Sequence, residues 1–395
     1  MRLLISAGEA SGEMYGAELL AALQRKLRAR GEAVECYGLG GERMRAAGCE
    51  TVIDAKDVAV VGLFEVLTHL PKIYGEFHKL LSAVDERKPD VAVLIDFPDF
   101  NFRLAKELHK RGIPVVYYIS PQLWAWRPKR VELVKKYVTK MLVIFPFERE
   151  FYQAHGVEAE FVGHPLAEME RPIAPAAGAG LHLAGTTKPQ TTIALLPGSR
   201  RKEVRMNLPA MVAATYHVRE RTEFVIPVAS TLDKAWVEDQ AMWYWKPVMD
   251  RRVAEGREAH VLTFSGDTRQ VLVGARAAIV ASGTATVEAA VIGTPFVMVY
   301  RLSPVTYVLG KRLVKVPFYA MPNLIAGRQV IPELVQDDFT AGRVAAELNK
   351  IIPDGPEREK MVAGLAEVRA KLRGADTVGA SERAADAVLK AVAGC

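Results

Sequence analysis

The sequence predicts an α/β protein made of two Rossmann-like, parallel-sheet domains that face each other across a cleft. Three observations support this prediction. Short apolar runs alternate with amphipathic segments along the chain, which is typical of βαβ units. The length of 395 residues is too great for one ordinary hydrophobic core. Between Arg171 and Pro189 the chain is rich in Pro, Ala and Gly without apolar periodicity, which predicts a linker.

The first domain is predicted over residues 1–170. Its strands are short apolar runs, and the segments between them show the spacing of apolar residues that is typical of helices. The strands are predicted at 2–8, 33–39, 91–96, 114–120, 140–146 and 159–164, with helices that include 14–28 and 102–111.

The second domain is predicted over residues 190–345 and repeats this pattern. Its strands are predicted at 191–198, 223–229, 260–264, 277–282 and 294–300, with helices at 203–219, near 234–255, at 268–275 and at 285–292. Residues 346–395 are rich in Ala and charged residues and contain no further strand pattern. They predict C-terminal helices, which could pack back on the first domain or exchange with a second chain.

Composition and charge exclude several classes of protein. The three cysteines form no CxxC pair, so neither a disulfide framework nor a zinc site is expected, and a reduced, cytoplasmic compartment fits best. The N-terminal apolar run is too short for a signal peptide, and no stretch approaches the roughly 20 apolar residues that span a bilayer. The net charge of +6 suits an anionic ligand or an anionic membrane surface. Nucleic acid is not an expected partner, because the chain has no block of Lys and Arg and no aromatic RNA-binding motif.

The stretch VAVLIDFPDFNF, residues 91–102, ends a predicted buried strand on a carboxylate. Asp96 follows five apolar residues, and Asp99 comes three positions later. A turn would explain both acids, since Asp, Pro and Asn favour turns. The alternative is a catalytic base at Asp96, because ligands of open α/β sheets bind beyond the carboxyl ends of the strands. Asp99 is expected to be a structural or orienting acid in the turn before a helix that is capped by Asn101.

The first strand opens into the glycine-rich loop GEASGEMYG, residues 8–16. Its spacing matches neither the dinucleotide-binding motif nor the P-loop, so neither kind of site is supported. A tight strand-to-helix turn would explain the glycines, although such a turn also leaves helix N-terminal amides open to a ligand. Glu9 and Ser11 are the side chains expected to face the cleft, beside Gly12.

The second domain begins with a similar strand and loop in ALLPGSRRKEV. Backbone amides and Ser199 could hold a phosphate oxygen, while Arg200 could bind the same group with two N–H donors. Arg201 is expected to face solvent more than Arg200. The alternative is a solvated basic turn without a ligand.

A second loop of this domain, in ASGTATVE, is also a predicted anion site. Ser282, Gly283 and Thr284 are small enough for a diphosphate to lie against the helix N-terminus, whose partial positive charge favours anions. Glu288 lies about one helical turn further on. It is either an ordinary exposed carboxylate or an acceptor for the two hydroxyls of a ribose.

Two anion-binding loops in one domain and a lone acid in the other indicate a nucleotide-sugar transferase. The second domain would hold the diphosphate and ribose of the donor, and Asp96 would deprotonate the acceptor hydroxyl. The eight histidines are scattered, and no group of His, Asp and Glu has the spacing of metal ligands. No metal and no other cofactor is therefore expected.

Residues 58–81, VAVVGLFEVLTHLPKIYGEFHKLL, carry apolar residues at helical spacing with Lys and His between them. One interpretation is two core helices broken at Pro71. The other is an apolar surface that lies on an anionic membrane or receives acyl chains. Trp124 and Trp126, which precede basic residues in SPQLWAWRPKR, favour such a surface. The residues assigned to the membrane or acyl surface are Val60, Leu63, Phe64, Leu67, Leu70, Ile73 and Tyr74.

Nine motifs cover nearly the whole chain in one order. They are GEASGE at 8–13, VVGLFEVL at 60–67, KPDVAVLIDFPDFN at 88–101, SPQLWAWRPKRV at 120–131, FPFEREFYQAHGV at 145–157, FVGHPL at 161–166, LLPGSRRKEV at 195–204, ASGTATVE at 281–288 and RLVKVPFYAMPNLIAGRQVIPELVQ at 312–336. In these motifs the chain closely resembles the lipid A disaccharide synthases, a family of inverting glycosyltransferases with the GT-B fold. Glu13 is a small departure, since an Asp is associated with this position of the family's first loop.

The resemblance implies a reaction and its partners. The donor would be UDP-2,3-diacylglucosamine and the acceptor 2,3-diacylglucosamine 1-phosphate, and the products would be a β-1,6-linked disaccharide 1-phosphate and UDP, in lipid A biosynthesis. It also implies peripheral association with the inner membrane, and so with anionic phospholipid, from the cytoplasmic side. A homodimer is a further arrangement that the sequence leaves open.

The resemblance also implies roles for individual residues. Asp96 matches the acid that is essential for catalysis, and Glu9 and Ser11 match the first glycine-rich loop. On the donor side, Arg200 and Glu288 match the nucleotide site. Asn323 and Glu333 lie in the last motif, which is expected to line the UDP pocket.

Other functions stay open on the sequence alone. A GT-B glycosyltransferase with a different acceptor, or a UDP-sugar epimerase, would share the nucleotide site. A nucleotide-sugar binding protein would share it without catalysis. Release of UDP only in the presence of a lipid acceptor separates the transferase from the epimerase.

Overall fold

The computed structural model describes residues 1–58, 63–172, 191–219, 221–303, 307, 316–374 and 378–393, and for residues 10 and 63–70 it describes the backbone only. The chain divides into two compact units. Unit 1 is formed by Met1–Glu168 together with Leu372–Cys395, and unit 2 by Met169–Lys371. Unit 2 is therefore an insertion in the sequence of unit 1.

Unit 1 is built on a parallel sheet of seven strands in the order β3-β2-β1-β4-β5-β6-β7. The strands are β1 (Arg2–Ala7), β2 (Glu35–Gly40), β3 (Glu50–Asp54), β4 (Val91–Ile95), β5 (Val115–Tyr118), β6 (Lys140–Val143) and β7 (Ala159–Phe161). The helices are α1 (Ala10–Arg28), α2 (Glu42–Ala46), α3 (Ala55–Val58), α4 (Leu63–Arg87), α5 (Pro98–Lys110), α6 (Leu123–Trp126), α7 (Val131–Tyr137), α8 (Pro146–Ala154) and α9 (Pro165–Glu168).

Strand β4 lies at the centre of this sheet. All five of its residues are buried, and it pairs in parallel with β1 on one side and β5 on the other. Such continuous apolar strands are expected where helices cover both faces of a parallel sheet. The chain runs from β1 outward to β2 and β3 and then returns to place β4 on the other side of β1. The gap between the ends of β1 and β4 is therefore the switch point of the sheet, where open α/β folds bind ligands.

Unit 2 is built on a parallel sheet of six strands in the order β10-β9-β8-β11-β12-β13. Its switch point lies between β8 and β11. The strands are β8 (Thr191–Leu196), β9 (Thr222–Pro227), β10 (Val261–Ser265), β11 (Ala277–Ala281), β12 (Phe296–Tyr300) and β13 (Glu333–Val335). The helices that the structure describes here are α10 (Arg201–Thr215), α11 (Lys234–Ala254), α12 (Thr268–Gly274), α13 (Thr284–Ile292), α14 (Met321–Ala326), α15 (Ala341–Ile351) and α16 (Pro356–Leu372).

The last helix, α17 (Ala380–Ala393), belongs to unit 1 and packs on α1. Lys26 on α1 lies 2.9 Å from Asp386 and 3.2 Å from Glu382, and Arg25 lies 2.5 Å from Glu382. On its inner side α17 buries Ala384, Ala385, Ala387 and Val388. This helix therefore completes the core of unit 1.

The predicted α/β class and the eleven predicted strands are confirmed, and two strands were not predicted. The missed strands are the five-residue β3 and the three-residue β13. Helices α1 and α5 begin four residues earlier than predicted, at Ala10 and Pro98. The interpretation of two helices broken at Pro71 is wrong, because α4 continues through this proline as one helix.

Candidate active site

Asp96 directly follows β4, at the carboxyl end of the central strand of unit 1. The glycine-rich loop after β1 lies beside it. A Cβ atom on Gly8 would overlap the Phe97 ring, and one on Gly12 would lie 3.4 Å from the side chain of Ile95. The structure thus brings the first loop and the Asp96 loop together at the switch point, and Gly8 is needed for their close approach.

The backbone at Asp96 has an unusual conformation. Asp96 and Phe97 both lie in the left-handed region, with φ of 43° and 47°. Such residues cost on the order of 1–3 kcal/mol each and persist only when their surroundings hold them in place. Here the carbonyl oxygen of Asp96 accepts a hydrogen bond from the Tyr117 hydroxyl at 2.7 Å and another from the Asn101 amide at 2.8 Å. Backbone strain of this kind is concentrated at functional sites.

Asn101 does not cap α5, so that prediction is wrong. The helix begins at Pro98, which suits the first turn because its missing N–H has no helical partner there, and Asn101 is fully buried one turn inside. Asp99, in that first turn, is largely exposed and accepts hydrogen bonds from Arg130 at 2.5 Å and Arg127 at 3.4 Å. Asp99 therefore ties α5 to the basic segment that follows Trp126.

The remaining residues of the first loop lie at the start of α1. Glu9 precedes the first helical residue, and both its side chain and that of Ser11 are half-buried. Glu13 has a structural role, since its carboxylate accepts hydrogen bonds from the backbone N–H groups of Arg43 at 2.6 Å and Met44 at 3.3 Å. These are N-terminal amides of α2, so Glu13 caps that helix from outside.

Glu148, on α8, carries a fully buried carboxyl group that no sequence pattern marked as a site residue. Its oxygens accept hydrogen bonds from the Trp124 indole at 3.1 Å and from the Phe145 backbone N–H at 3.2 Å. The pKa of Glu148 is raised to about 8, chiefly by burial and in smaller part by the charge of Asp96, while these donors act to lower it. Glu148 is therefore an acid that stays protonated near neutral pH within the electrostatic influence of Asp96.

In unit 2 the loop after β8 differs from the prediction in one respect. The N–H groups of Ser199 and Arg200, which were expected to hold a phosphate, donate to the Glu203 carboxylate at 2.9 and 3.3 Å. The Arg200 guanidinium also lies 3.2 Å from Glu203. Gly198 makes this possible, because a Cβ atom there would lie 2.6 Å from Glu203. The Glu203 carboxylate thus already accepts the hydrogen bonds of these two amides.

Two further arginines follow this loop on α10. Arg201 lies over the Trp236 ring at 4.9 Å from its centre, and Arg205 lies over the same ring at 5.6 Å. Arg200 and Arg201 are both exposed. Arg201 was predicted to face solvent more than Arg200, but the structure exposes both side chains to solvent.

The loop after β11 lies on the other side of the unit 2 switch point. Gly283 has φ of 146°, which favours glycine, and Thr284 is the first residue of the nine-residue helix α13. The Ser282 hydroxyl donates to the Tyr319 carbonyl at 3.4 Å. Glu288, one turn into α13, is half-buried, and this burial raises its pKa above the ordinary value. It is not the ordinary exposed helix carboxylate of the alternative interpretation.

Asn323 and Glu333 bind to each other and to nearby backbone. The Asn323 amide donates to Glu333 at 2.7 Å, and its oxygen accepts from the N–H groups of Val330 at 2.7 Å and Ile331 at 3.0 Å. Glu333 also accepts from the N–H of Tyr319 at 2.8 Å. These bonds hold together the residues before and after α14, and Tyr319, which precedes α14, also accepts the hydrogen bond from Ser282.

The predicted membrane or acyl surface falls partly outside the described residues. Val60 lies outside them, and the side chains of Leu63, Phe64, Leu67 and Leu70 on α4 are not described. Ile73 is half-buried against the core of unit 1, whereas Tyr74 is 67% exposed. Within the described part of the chain, no helix is long and apolar enough to cross a membrane. In the same part, no group of three His, Cys, Asp or Glu side chains is placed to hold a metal ion.

Comparison with known proteins agrees with this geometry. The family model described as Lipid-A-disaccharide synthetase matches residues 3–388. The chain is 57% identical to the Lipid-A-disaccharide synthase of Koribacter versatilis (strain Ellin345) over 390 residues, which cover 98% of each chain. It is 51% identical to the enzyme of that name from Acidobacterium capsulatum over 371 residues, covering 94% of this chain and 91% of the relative.

Solved structures show the same fold at low sequence identity. The calicheamicin glycosyltransferase CalG4 superposes with a TM-score of 0.58 at 17% identity, covering 99% of this chain and 98% of that one. At this identity the likeness shows the fold, two parallel-sheet Rossmann-like domains, and nothing of the substrate. The family model and the two curated relatives carry the assignment further: the chain belongs to the lipid-A-disaccharide synthetase family.

Proposed function

We propose that the chain joins UDP-2,3-diacylglucosamine to 2,3-diacylglucosamine 1-phosphate and releases UDP. The product is the β-1,6-linked disaccharide 1-phosphate of lipid A biosynthesis. Membership of the family supports lipid A disaccharide formation, and the presence of a switch point in the sheet of each unit supports a nucleotide-sugar transfer. The main support for the mechanism is the position of Asp96 at the end of the central strand β4. Hydrogen bonds from Asn101 and Tyr117 to its carbonyl oxygen hold its backbone in the left-handed conformation.

In this mechanism Asp96 is the general base. It takes the proton of the acceptor 6-hydroxyl while that oxygen forms a bond to the anomeric carbon of the donor sugar. The bond from this carbon to the UDP oxygen breaks, and the configuration at the carbon inverts. A carboxylate is a weak base toward an alcohol, so we propose that proton transfer lags behind bond formation at a carbon with oxocarbenium character.

We propose that unit 2 holds the nucleotide. The N-terminus of α13 and the small residues Ser282–Thr284 suit the diphosphate, because unpaired N–H groups and the helix dipole favour an anion. Glu288 would accept hydrogen bonds from the ribose hydroxyls. Arg200 would bind a phosphate oxygen after exchanging its Glu203 partner for the ligand.

We propose that the chain acts at the cytoplasmic side of the inner membrane and binds its surface peripherally. Exposed Tyr74 supports contact with the membrane, and Lys72 and Lys79 on the same helix would bind anionic phospholipid by exchanging their partners Asp57 and Glu76 for lipid phosphate. A homodimer stays a prediction.

The test of the transfer mechanism is the isosteric substitution Asp96→Asn. With diacylated UDP-glucosamine and the lipid monosaccharide phosphate, the wild-type chain should form a disaccharide that mass spectrometry identifies. Asp96→Asn should lower turnover at least about 10²-fold while UDP binding is unchanged. Asp85→Asn, at an exposed ion pair of the same unit, is the control and should keep full activity. An active Asp96→Asn variant, or release of UDP without acceptor, would contradict the mechanism.

A further inference from the structure

A buried hydrogen-bond network surrounds the backbone of Asp96. Asn101 and Tyr117 are both completely buried, and each donates to the Asp96 carbonyl oxygen, at 2.8 and 2.7 Å. Asn101 comes from α5 and Tyr117 from β5, so the two donors approach from different elements. The amide of Asn101 also donates to the Ile95 carbonyl at 3.1 Å, at the last residue of β4. The side chain of Asn101 thus holds both Ile95, at the end of β4, and Asp96.

The carbonyl groups of Ile95 and Asp96 determine which way the Asn101 amide points, because a carbonyl oxygen can only accept a hydrogen bond. The Ser6 hydroxyl, which is also completely buried, donates to the Asn101 oxygen at 2.6 Å. Since the Asn101 nitrogen must face the two carbonyl groups, the Asn101 oxygen faces Ser6, and the hydroxyl acts there as the donor. Only a side chain with one acceptor and two donors satisfies this arrangement. An aspartate of the same shape would place an oxygen against two carbonyl oxygens.

The Tyr117 hydroxyl is the donor of its hydrogen bond, because the Asp96 carbonyl oxygen can only accept. Burial raises the pKa of Tyr117 well above its ordinary value, and the nearby charge of Asp96 acts in the same direction. Both effects favour the protonated hydroxyl, which is the form that donates to the Asp96 carbonyl. In the same sheet, Tyr37 on β2 is buried to the same extent, but among the described residues its hydroxyl has no hydrogen-bond partner.

We propose that Asn101 and Tyr117 are positioning residues, which aim the carboxylate of Asp96 at the acceptor hydroxyl by fixing its peptide carbonyl in the left-handed conformation. This inference rests on the proposed role of Asp96 as base. Neither side chain needs to touch substrate. With both donors in place the peptide of Asp96 has one orientation, and the carboxylate direction follows from it. A base that is displaced by about 1 Å can lose about 10²-fold in rate.

The test uses two isosteric substitutions and a matched control. Tyr117→Phe removes one donor and Asn101→Asp removes the other, and both should lower kcat, by about 10-fold and about 10²-fold, with KM for donor and acceptor within about twofold. Tyr37→Phe removes a buried hydroxyl without a partner and should leave kcat unchanged. If Asn101→Asp does not fold, Tyr117→Phe carries the test alone. A Tyr117→Phe variant with the kcat of Tyr37→Phe would overturn the inference.

A double-mutant cycle separates positioning from a general loss of structure. If Tyr117 acts through Asp96, Tyr117→Phe should have no further effect on the residual rate of Asp96→Asn. An undiminished effect in the Asp96→Asn background would overturn the positioning role. An Asp96→Asn variant that keeps wild-type activity would instead show that the proposed mechanism fails, which is a different result from loss of the positioning role alone.

Discussion

The carboxylate of Glu13 accepts a hydrogen bond from the backbone N–H of Arg43 at a distance of 2.6 Å. This contact joins α1 to the N-terminus of α2, where two N–H groups have no partner within their own helix. A Cβ atom on Gly41, the residue before α2, would lie only 2.9 Å from the same carboxylate. Glu13 can therefore reach the amides of α2 only because residue 41 is a glycine and has no side chain.

Glu13→Ala should destabilise unit 1. The substitution leaves the N–H groups of Arg43 and Met44 without their acceptor, and loss of a helix cap costs about 1 kcal/mol. We expect the melting temperature of the unit 1 transition to fall by about 2–4 °C. Glu32→Ala, at an exposed glutamate after α1, is the control. Equal melting temperatures for the two variants would show that Glu13 is not a cap of measurable strength.

The pKa of Glu148 predicts a pH dependence of stability. The folded chain keeps a proton on Glu148 up to pH about 8, whereas the unfolded chain loses it near the ordinary value of 4.5. Between these values the folded state holds more protons, so the free energy of unfolding falls as pH rises, by up to about 1.4 kcal/mol per pH unit. Glu148→Gln cannot lose a proton, so this part of the slope should disappear.

Urea unfolding between pH 5 and pH 8, followed by tryptophan fluorescence, checks this prediction. The wild-type midpoint for unit 1 should move to lower urea as pH rises, and the Glu148→Gln midpoint should move less. Glu150→Gln changes an exposed carboxylate on the same helix and should keep the wild-type slope. The same slope in wild type and Glu148→Gln would mean that Glu148 is ionised in the folded chain.

Glu288→Gln should weaken nucleotide binding. If the carboxylate accepts the ribose hydroxyls, its neutral isostere makes weaker hydrogen bonds, and the dissociation constant of UDP should rise about tenfold. The KM of the acceptor should stay the same. Isothermal titration calorimetry with UDP measures the effect, and Glu238→Gln on α11 is the control for removing a carboxylate from unit 2. Unchanged UDP binding in Glu288→Gln would remove Glu288 from the nucleotide site.

Tyr74→Ser should lower binding to anionic vesicles. Tyr74 is 67% exposed on α4, and an aromatic ring of this kind gains free energy at a membrane interface. Co-sedimentation with phosphatidylglycerol vesicles should show weaker binding for the variant and further weakening with salt. Trp243→Ser changes a side chain on α11 that is 75% exposed and should bind as wild type does. If Trp243→Ser had the larger effect, the membrane surface would lie on unit 2.

Much of the fold follows from local patterns in the sequence. Buried parallel strands are runs of apolar residues, and β4 and β11 are clear examples because helices cover both faces of their sheets. Strands β3 and β13 were not predicted from the sequence. Both contain polar residues and so form no continuous apolar run. The place of Asp96 and of the Ser282 loop could be predicted because both follow such strands.

The details of the site depend on side chains that only the folded chain brings together. Glu203 lies in the sequence as an ordinary first-turn acid, yet it occupies the amides that a phosphate was expected to bind. Glu148 lies in a segment with charged neighbours, and nothing local indicates that it is buried. Asn101 was assigned to a helix cap because Asn favours caps, whereas its partners come from β1 and β4.

The division of the chain affects the order in which the protein can be completed on the ribosome. Most of unit 1 emerges first, but the helix that covers α1 is translated only after the roughly 200 residues of unit 2. At typical rates of synthesis this interval lasts about 10 to 40 s. During that time the apolar surface that α17 will cover is exposed to solvent. We expect chaperones to bind a nascent chain in this state.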